Sequence, residues 1–338
     1  MKHSKTKNIL KLAGAGLAAT MFITACGSDS SPESGDTETI NMSLDWNAYM
    51  AYHAPILLGL EEGIFEENGV AIGELTLPGG SGDAVSEIGA GRTDMGWVDL
   101  STASAGMLQD VPITSVAHTM DVNATGLTAL DNTSLEGIED LKGMSIGSTP
   151  GGSDSTLIDA FLNANDLTKN DVDIVNLPGD GKFPALMTGD VDAISGQEYY
   201  YSSLIQQEGQ EANGILYGEL GLEGLLDHGF VANNQFMEDH PETVTNFLAS
   251  YREALEITIN DTAAACEYVV EASEGTMTQD LCEAQLNLWL PLTQSPDEDD
   301  WGVNTQEDWE TTVHILTEYG DAEGERSVSS MFSNDFLQ

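Results

Sequence analysis

The chain has 338 residues, 41% of them apolar and 20% charged, with 57 acidic residues against 10 basic ones and a formal net charge of −47. That balance excludes nucleic acid and anionic lipid surfaces as partners, since both would be repelled. The length allows two halves with cores of their own, and carboxylates this dense are a solvated surface suited to a halophilic or halotolerant source.

At the N-terminus, Lys2, Lys5, Lys7 and Lys11 accompany the apolar run LAGAGLAATMFITA at 12–25. The run has signal-peptide length and is too short to span a membrane, which takes about 20 apolar residues. Small Ala25 precedes Cys26, and the polar GSDSSPESGDTE follows at 27–38. The pattern resembles a bacterial lipoprotein signal. It implies a signal peptide at 1–25, lipidation of Cys26, a flexible tether at 26–38 and a location on the outer face of the cell membrane. An ordinary secretory signal with an incidental cysteine is the alternative. Beyond Cys26 only Arg92, Lys142, Lys169, Lys182, Arg252 and Arg326 oppose 57 acids, a formal charge of −51. Cys266 and Cys282 are an even pair in an exported domain, so a disulfide is possible, with the geometry of two helical segments left to decide it.

From residue 39 strands and helices alternate. TINMSLDW (39–46) reads as a half-buried strand and APILLGLEEGIFEENG (54–69) as a helix. VAIGELTL (70–77), TDMGWVD (93–99) and VPITSVAH (111–118) read as strands, with helices at 81–91 and 99–110. A second run begins after LDNTSLEGIEDL: strands MSIGS, DVDIVNL, VDAISG and GILYG, separated by helices at 153–165, 182–189 and 198–209. HGFVANN (228–234) reads as a strand returning to the first half, and the remainder is mostly helix. The alternation predicts an α/β fold of two hinged lobes, lobe 1 formed by 39–127 and 228–338 and lobe 2 by 128–227.

Ligands of open α/β sheets sit beyond the carboxyl ends of strands, and three loops there concentrate aromatic and polar residues. The first holds Trp46, Tyr49, Tyr52 and His53. In the second, Gly151 and Gly152 lead into Ser153, Asp154 and Ser155 at a helix start, where backbone N–H groups are unpaired. The third, SGQEYYY, holds Glu198, Tyr199, Tyr200 and Tyr201. Simpler roles stand beside these: Trp46 and a tyrosine can pack between lobes, His53 can cap a helix, and Ser153 or Asp154 can cap the next one. Consecutive tyrosines on a helix point different ways, so at least one of 199–201 packs in the core. Aromatic slabs with polar handles at three strand ends suit a flat, small, polar-edged molecule.

These stretches resemble the type 2 periplasmic binding proteins of ABC importers, most of all the group that binds thiamine pyrimidine precursors; relatives bind riboflavin, aliphatic sulfonates, taurine or nitrate. The likeness rests on LDWNAYMAYHAPILLGLEEGIFEENGV, LEGIEDLKGMSIGSTPGGSDSTLIDAFL, FPALMTGDVDAISG, WGVNTQEDWETTVHILTEYG and the closing FSNDFL, and it covers residue 40 to the end. It implies a hinged two-lobe fold and a lipid-anchored binding protein, monomeric, that hands a small molecule to a membrane permease. The residues it points to are Trp46, Tyr49, His53, Ser153, Asp154, Ser155, Glu198, Tyr199 and Tyr200. Two departures bear on the ligand: the first loop is one residue longer before the histidine, and Tyr49 stands where asparagine is common.

A sulfonate or nitrate would gain from a buried Arg or Lys, and only Lys182 lies even loosely near the three loops. Glu198 and Asp154 would accept hydrogen bonds from an aminopyrimidine, while backbone N–H groups at Ser153 leave an anion as the alternative. No HExxH, Gly-x-Ser-x-Gly or Cys/His metal spacing occurs, and His118, His228, His240 and His314 lie in unrelated contexts. Some cytosolic relatives make the pyrimidine with a pyridoxal cofactor, and the export signal argues against that here. The chain is therefore expected to be no enzyme, with no cofactor and no metal. DEDDWGVN (297–304) has the look of a calcium loop, but Trp301 takes a ligand position, and a solvated acidic loop before a helix cap at Thr305 is expected instead.

Overall fold

The computed structural model describes residues 37–338. The expected signal peptide, Cys26 and most of the tether lie outside the described residues. In chain order the strands are β1 (Glu38–Ser43), β2 (Val70–Thr76), β3 (Met95–Asp99), β4 (Ile113–His118), β5 (Thr125–Leu130), β6 (Ser145–Ser148), β7 (Asp173–Asn176), β8 (Ala193–Gln197), β9 (Ala212–Leu216) and β10 (His228–Asn233). They form two five-stranded sheets, ordered β2-β1-β3-β10-β4 and β7-β6-β8-β5-β9. The fold is α/β. β1 runs parallel to β2 and β3, while β10 lies antiparallel between β3 and β4. In the second sheet β6 is parallel to β7 and β8, and β5 is antiparallel to β8 and β9.

Helices cover both faces of the first sheet's centre, so β3 is buried at every residue and lacks alternation; the edge strand β4 is buried throughout as well, because bridges from Ser115 to Phe332 and from His118 to Gly302 cover its free edge. The longest helix among the described residues, Pro241–Asn260, buries Val244, Phe247, Leu248, Tyr251, Ala254 and Leu255 at helical spacing. Phe247 and Tyr251 meet Phe230 of β10 edge-on, at 5.1 and 4.6 Å between ring centroids. The second half has its own core, with Phe161 stacked on Tyr217 at 4.2 Å.

The chain crosses between sheets twice, leaving β4 for β5 through 119–124 and returning from β9 to β10 through 217–227. An expected boundary after residue 127 falls inside β5, which belongs wholly to the second sheet. TGLTAL lacks an outward polar face because it is buried on both sides. Its Gly126 is also required, since a Cβ there would sit 2.2 Å from the Ile215 carbonyl oxygen.

Cys266 and Cys282 form a disulfide between the helices Thr262–Ala272 and Gln279–Trp289, with their Cα atoms 5.7 Å apart. In the 297–304 loop Trp301 is buried beneath the Arg252 guanidinium, which lies 5.7 Å from the ring centroid. Residues 297–300 are exposed, and Thr305 caps the helix Gln306–Glu318 by accepting from the Asp308 N–H.

Candidate ligand-binding site

A cleft lies where the carboxyl ends of the two sheets face each other. The first half lines it with Asp45, Trp46, Met50, Tyr52 and His228, the second with Ser153, Asp154, Lys182, Gln197, Tyr200 and Tyr201. Its free volume is about 40 Å³, room for a few waters. The halves touch directly on either side of it. Trp46 packs on Gly179, where a Cβ would sit 2.1 Å from the indole, and the Gly82 N–H donates to the Gly151 carbonyl at 3.1 Å.

Asp45 organises the first wall. The Met50 N–H donates to His53 Nδ1 at 3.1 Å, so the His53 proton sits on Nε2, which donates to Asp45 Oδ1 at 2.8 Å. Asp45 Oδ2 accepts from the Tyr52 hydroxyl at 3.1 Å and from His228 Nε2 at 3.2 Å. The other His228 nitrogen meets Asp227, so both ring nitrogens face carboxylates. Burial works against charging His228, but the Asp227 charge and the hydrogen bonds to Asp227 and Asp45 hold its pKa well above the usual histidine range. Burial also opposes the Asp45 carboxylate, yet hydrogen bonds from His228 and His53 hold its pKa well below normal. Trp97 stacks on His228 at 4.3 Å and closes the network from below.

The second wall is an ion pair at a helix start. Asp154 Oδ2 accepts from the Thr149 N–H at 2.9 Å, the Ser148 hydroxyl at 3.1 Å and Lys182 Nζ at 3.0 Å. Lys182, 1% exposed, also donates to the Ser195 carbonyl at 2.7 Å and lies over the rings of Tyr201 and Trp46, at 5.2 and 5.8 Å. Burial disfavours its charge, but Asp154 and Tyr201 together outweigh that and raise its pKa. The turn before the helix Ser153–Ala164 needs Gly151 at φ +83°, and Gly152 is the N-cap, with no side-chain cap. Asp154 therefore does not cap this helix; it reaches back to Thr149.

Of the residues expected from sequence, the cleft brings together Trp46, Ser153, Asp154 and Tyr200. The others sit elsewhere. His53 is fully buried behind Asp45. Tyr49 packs on the first half's core, and Tyr199 is buried in it. Ser155 clasps the turn, accepting from the Gly151 N–H at 3.2 Å and donating to the Gly152 carbonyl at 2.8 Å. Glu198 accepts from Ser202 and lies against Gly214 of β9, away from the cleft. Asp45, Tyr52, Lys182, Gln197, Tyr201 and His228 had not been expected as a set. Asp45 and Tyr52 flank Trp46 in the same loop, a signal that was available. His228 reaches Asp45 across 183 residues, so no local pattern could join them.

The family described as NMT1/THI5 like matches residues 50–265. A curated relative, the 4-amino-5-hydroxymethyl-2-methylpyrimidine phosphate synthase of Aspergillus parasiticus, is 27% identical over 70% of this chain and 71% of its own. Among solved structures, the alkanesulfonate-binding protein SsuA of Xanthomonas axonopodis pv. citri, bound to MOPS, superposes with a TM-score of 0.69 at 14% identity, covering 87% of this chain and 98% of that one. The periplasmic nitrate-binding protein NrtA of Synechocystis gives 0.66 at 12% identity, covering 88% and 86%. The fold is thus that of the periplasmic binding proteins. One expectation is corrected: the chain cannot be set down as no enzyme, because curated relatives 24–28% identical to it carry the name of a synthase.

Proposed function

The chain belongs to the NMT1/THI5-like family, and from that premise we propose that its cleft captures a small, planar, amino-substituted heterocycle of the pyrimidine class. One observation carries this reading: both cations of the cleft already have carboxylate partners, Lys182 with Asp154 and His228 with Asp45 and Asp227. An anionic ligand finds no uncompensated charge, whereas an aminopyrimidine finds acceptors and donors side by side. Its amino group donates to Asp154 Oδ1, which has no protein hydrogen bond, and a ring nitrogen accepts from Ser153 or Gln197. Trp46 and Tyr200 supply the apolar faces.

Trp46 against Gly179 and the Gly82 N–H on the Gly151 carbonyl hold the halves together beside the cleft, so capture proceeds by opening about the two crossovers and closing again. As an extracytoplasmic lipoprotein tethered at Cys26, the closed protein presents its ligand to an ABC permease. Sulfonate, taurine or nitrate is the second ligand reading, favoured by Lys182 and the helix start at Ser153 standing in one cleft.

Synthesis, the activity in the relatives' name, shares the pyrimidine with import. The pyridoxal cofactor implied by the family resemblance does not fit the residues present. The lysine that lines the cleft, Lys182, would have to give up its bonds to Asp154 and the Ser195 carbonyl to form an imine.

Thermal unfolding in high salt tests the reading. A hydroxymethyl- or formylamino-pyrimidine should raise Tm with concentration, and Trp46→Ala should weaken that effect roughly tenfold or more. A rise with taurine, an alkylsulfonate or nitrate alone would overturn the pyrimidine assignment. Chemical analysis of the ligand after incubation separates binding from turnover.

A further inference from the structure

The helix Gln306–Glu318 is built into both halves. Near its start Trp309, fully buried, packs with residues of β3, β4 and β10, stacks on Phe332 at 5.7 Å and donates from Nε1 to Asn304 at 3.0 Å. Further along, Ile315 and Leu316 are buried in the second half's core, in one cluster with Phe161 and Tyr217. Just past its end the Tyr319 carbonyl accepts from Asn163 of the second half at 2.6 Å, and Ala322 packs against both cores.

Its middle is pinned to the crossovers. Thr312, fully buried, accepts from the Leu226 N–H at 3.0 Å, and the Leu226 carbonyl accepts from Asn123 Nδ2 at 2.8 Å. Asn123 belongs to the outgoing crossover and Leu226 to the returning one, so a single residue ties both to the helix. The next residue, Asp227, accepts from the Ala124 N–H at 2.8 Å and meets His228 in the cleft wall. A second buried contact joins the halves at the helix Glu198–Gln207, where Tyr199 enters the first half's core and Ser203 accepts from Gln285 at 3.1 Å.

A rigid rotation leaves one line of points in place, so contacts that persist through opening lie close to that line. The contacts between halves differ in what breaking them exposes. Pulling Ile315 and Leu316 from the second core would bring two apolar side chains into water. Parting Gly82 from Gly151 only exchanges one backbone hydrogen bond for water, and parting Trp46 from Gly179 uncovers a ring already half-buried.

We propose that the helix Gln306–Glu318 is the pivot of the molecule. The halves turn about a line through the Asn123–Leu226–Thr312 knot and the Tyr199 contact, and the cleft parts at Trp46–Gly179 and Gly82–Gly151. The pivot reaches the cleft wall directly, through Asp227 and His228. This rests on the opening and closing in the proposed function, and not on which ligand is captured.

Distances between spin labels in the frozen, ligand-free protein test it, measured by pulsed electron resonance. Encoded nitroxide side chains, which leave the disulfide intact, replace three exposed residues: Glu67 on the first half, Asp173 on the second and Glu318 on the pivot. Gly179→Leu wedges the mouth apart, and Trp46→Ala, which removes the contact there, serves if the wedge prevents folding. Between parent and opened variant the Glu67–Asp173 distance should change by more than about 2 Å, while Glu318–Glu67 and Glu318–Asp173 both change by less. A Glu318–Asp173 change as large as that across the mouth would mean that the helix rides with the first half, and would overturn the proposal. An equally large Glu318–Glu67 change would overturn it in the opposite sense. So would a Glu67–Asp173 distance that stays fixed, since the halves then do not rotate. No ligand enters the measurement, so a pyrimidine that fails to bind overturns the ligand assignment alone.

Discussion

Asp45 and Asp154 face one cleft from opposite halves, and each is almost fully buried. Asp45 is bonded to two imidazoles and a phenol, Asp154 to one ammonium, one hydroxyl and one backbone N–H. The first arrangement is distributed, so its charge is shared among groups that also pack on Trp97. The second depends on a single lysine. The proposed opening and closing needs at least one wall whose shape survives without the other, and the distributed wall is the better candidate.

Breaking the single-lysine wall should have the largest effect. Lys182→Ala leaves the buried Asp154 carboxylate uncompensated and should cost about 3–5 kcal/mol in chemical unfolding. The double change with Asp154→Asn should recover much of that loss. If the single and double variants are equally unstable, the pair does not carry the wall.

Next in size is the disulfide, which lies in the helices behind the Asp45 wall. Replacing Cys266 and Cys282 by alanine should cost about 3 kcal/mol, as expected for a loop of this length. Ligand affinity should stay unchanged once the protein is folded.

The Asp45 wall should also give stability a pH signature that the Asp154 wall lacks at neutral pH. The pKa of Asp45 is lowered on folding, so its contribution is complete above 3.8 and is lost as pH falls below that value. The pKa of His228 is raised, so its contribution is complete below 6.5 and is lost as pH rises above it toward the raised value. Stability measured from pH 5 to 9 should therefore decline at the upper end, and His228→Gln should flatten that decline. A decline unchanged in the variant would assign it to another group.

The smallest effect probes the contact between walls. Gly179→Ala puts a methyl against the Trp46 indole, so full closure is hindered while each half folds as before. Ligand affinity should fall about tenfold, or about 1.4 kcal/mol, with Tm of the free protein within a few degrees of the parent. Unchanged affinity would mean that Trp46 need not meet the second half when ligand is bound.

The legible parts of this molecule were those encoded over short spans. The strand–helix alternation, the return strand at 228–234 and the turn at Gly151 follow from periodicity and turn chemistry, and each is found. β5 was missed because a strand buried on both faces has no alternation to detect. In the cleft, Trp46, Ser153, Asp154 and Tyr200 could be named because they follow strand ends. Glu198 and Tyr199 follow one too but rotate away, since neighbouring residues on a helix point in directions about 100° apart.

By itself, then, the sequence determined the α/β class, the three loops at the strand ends and the acidic surface, because these depend on neighbours in the chain. Only the tertiary structure decided which side chains share the cleft and in what charge state. His228 meets Asp45 across 183 residues, and Lys182 finds Asp154 across 28. Those encounters reverse the electrostatics of the isolated residues. Burial alone would discharge the lysine, the histidine and Asp45, and only partners brought in from distant segments keep them charged.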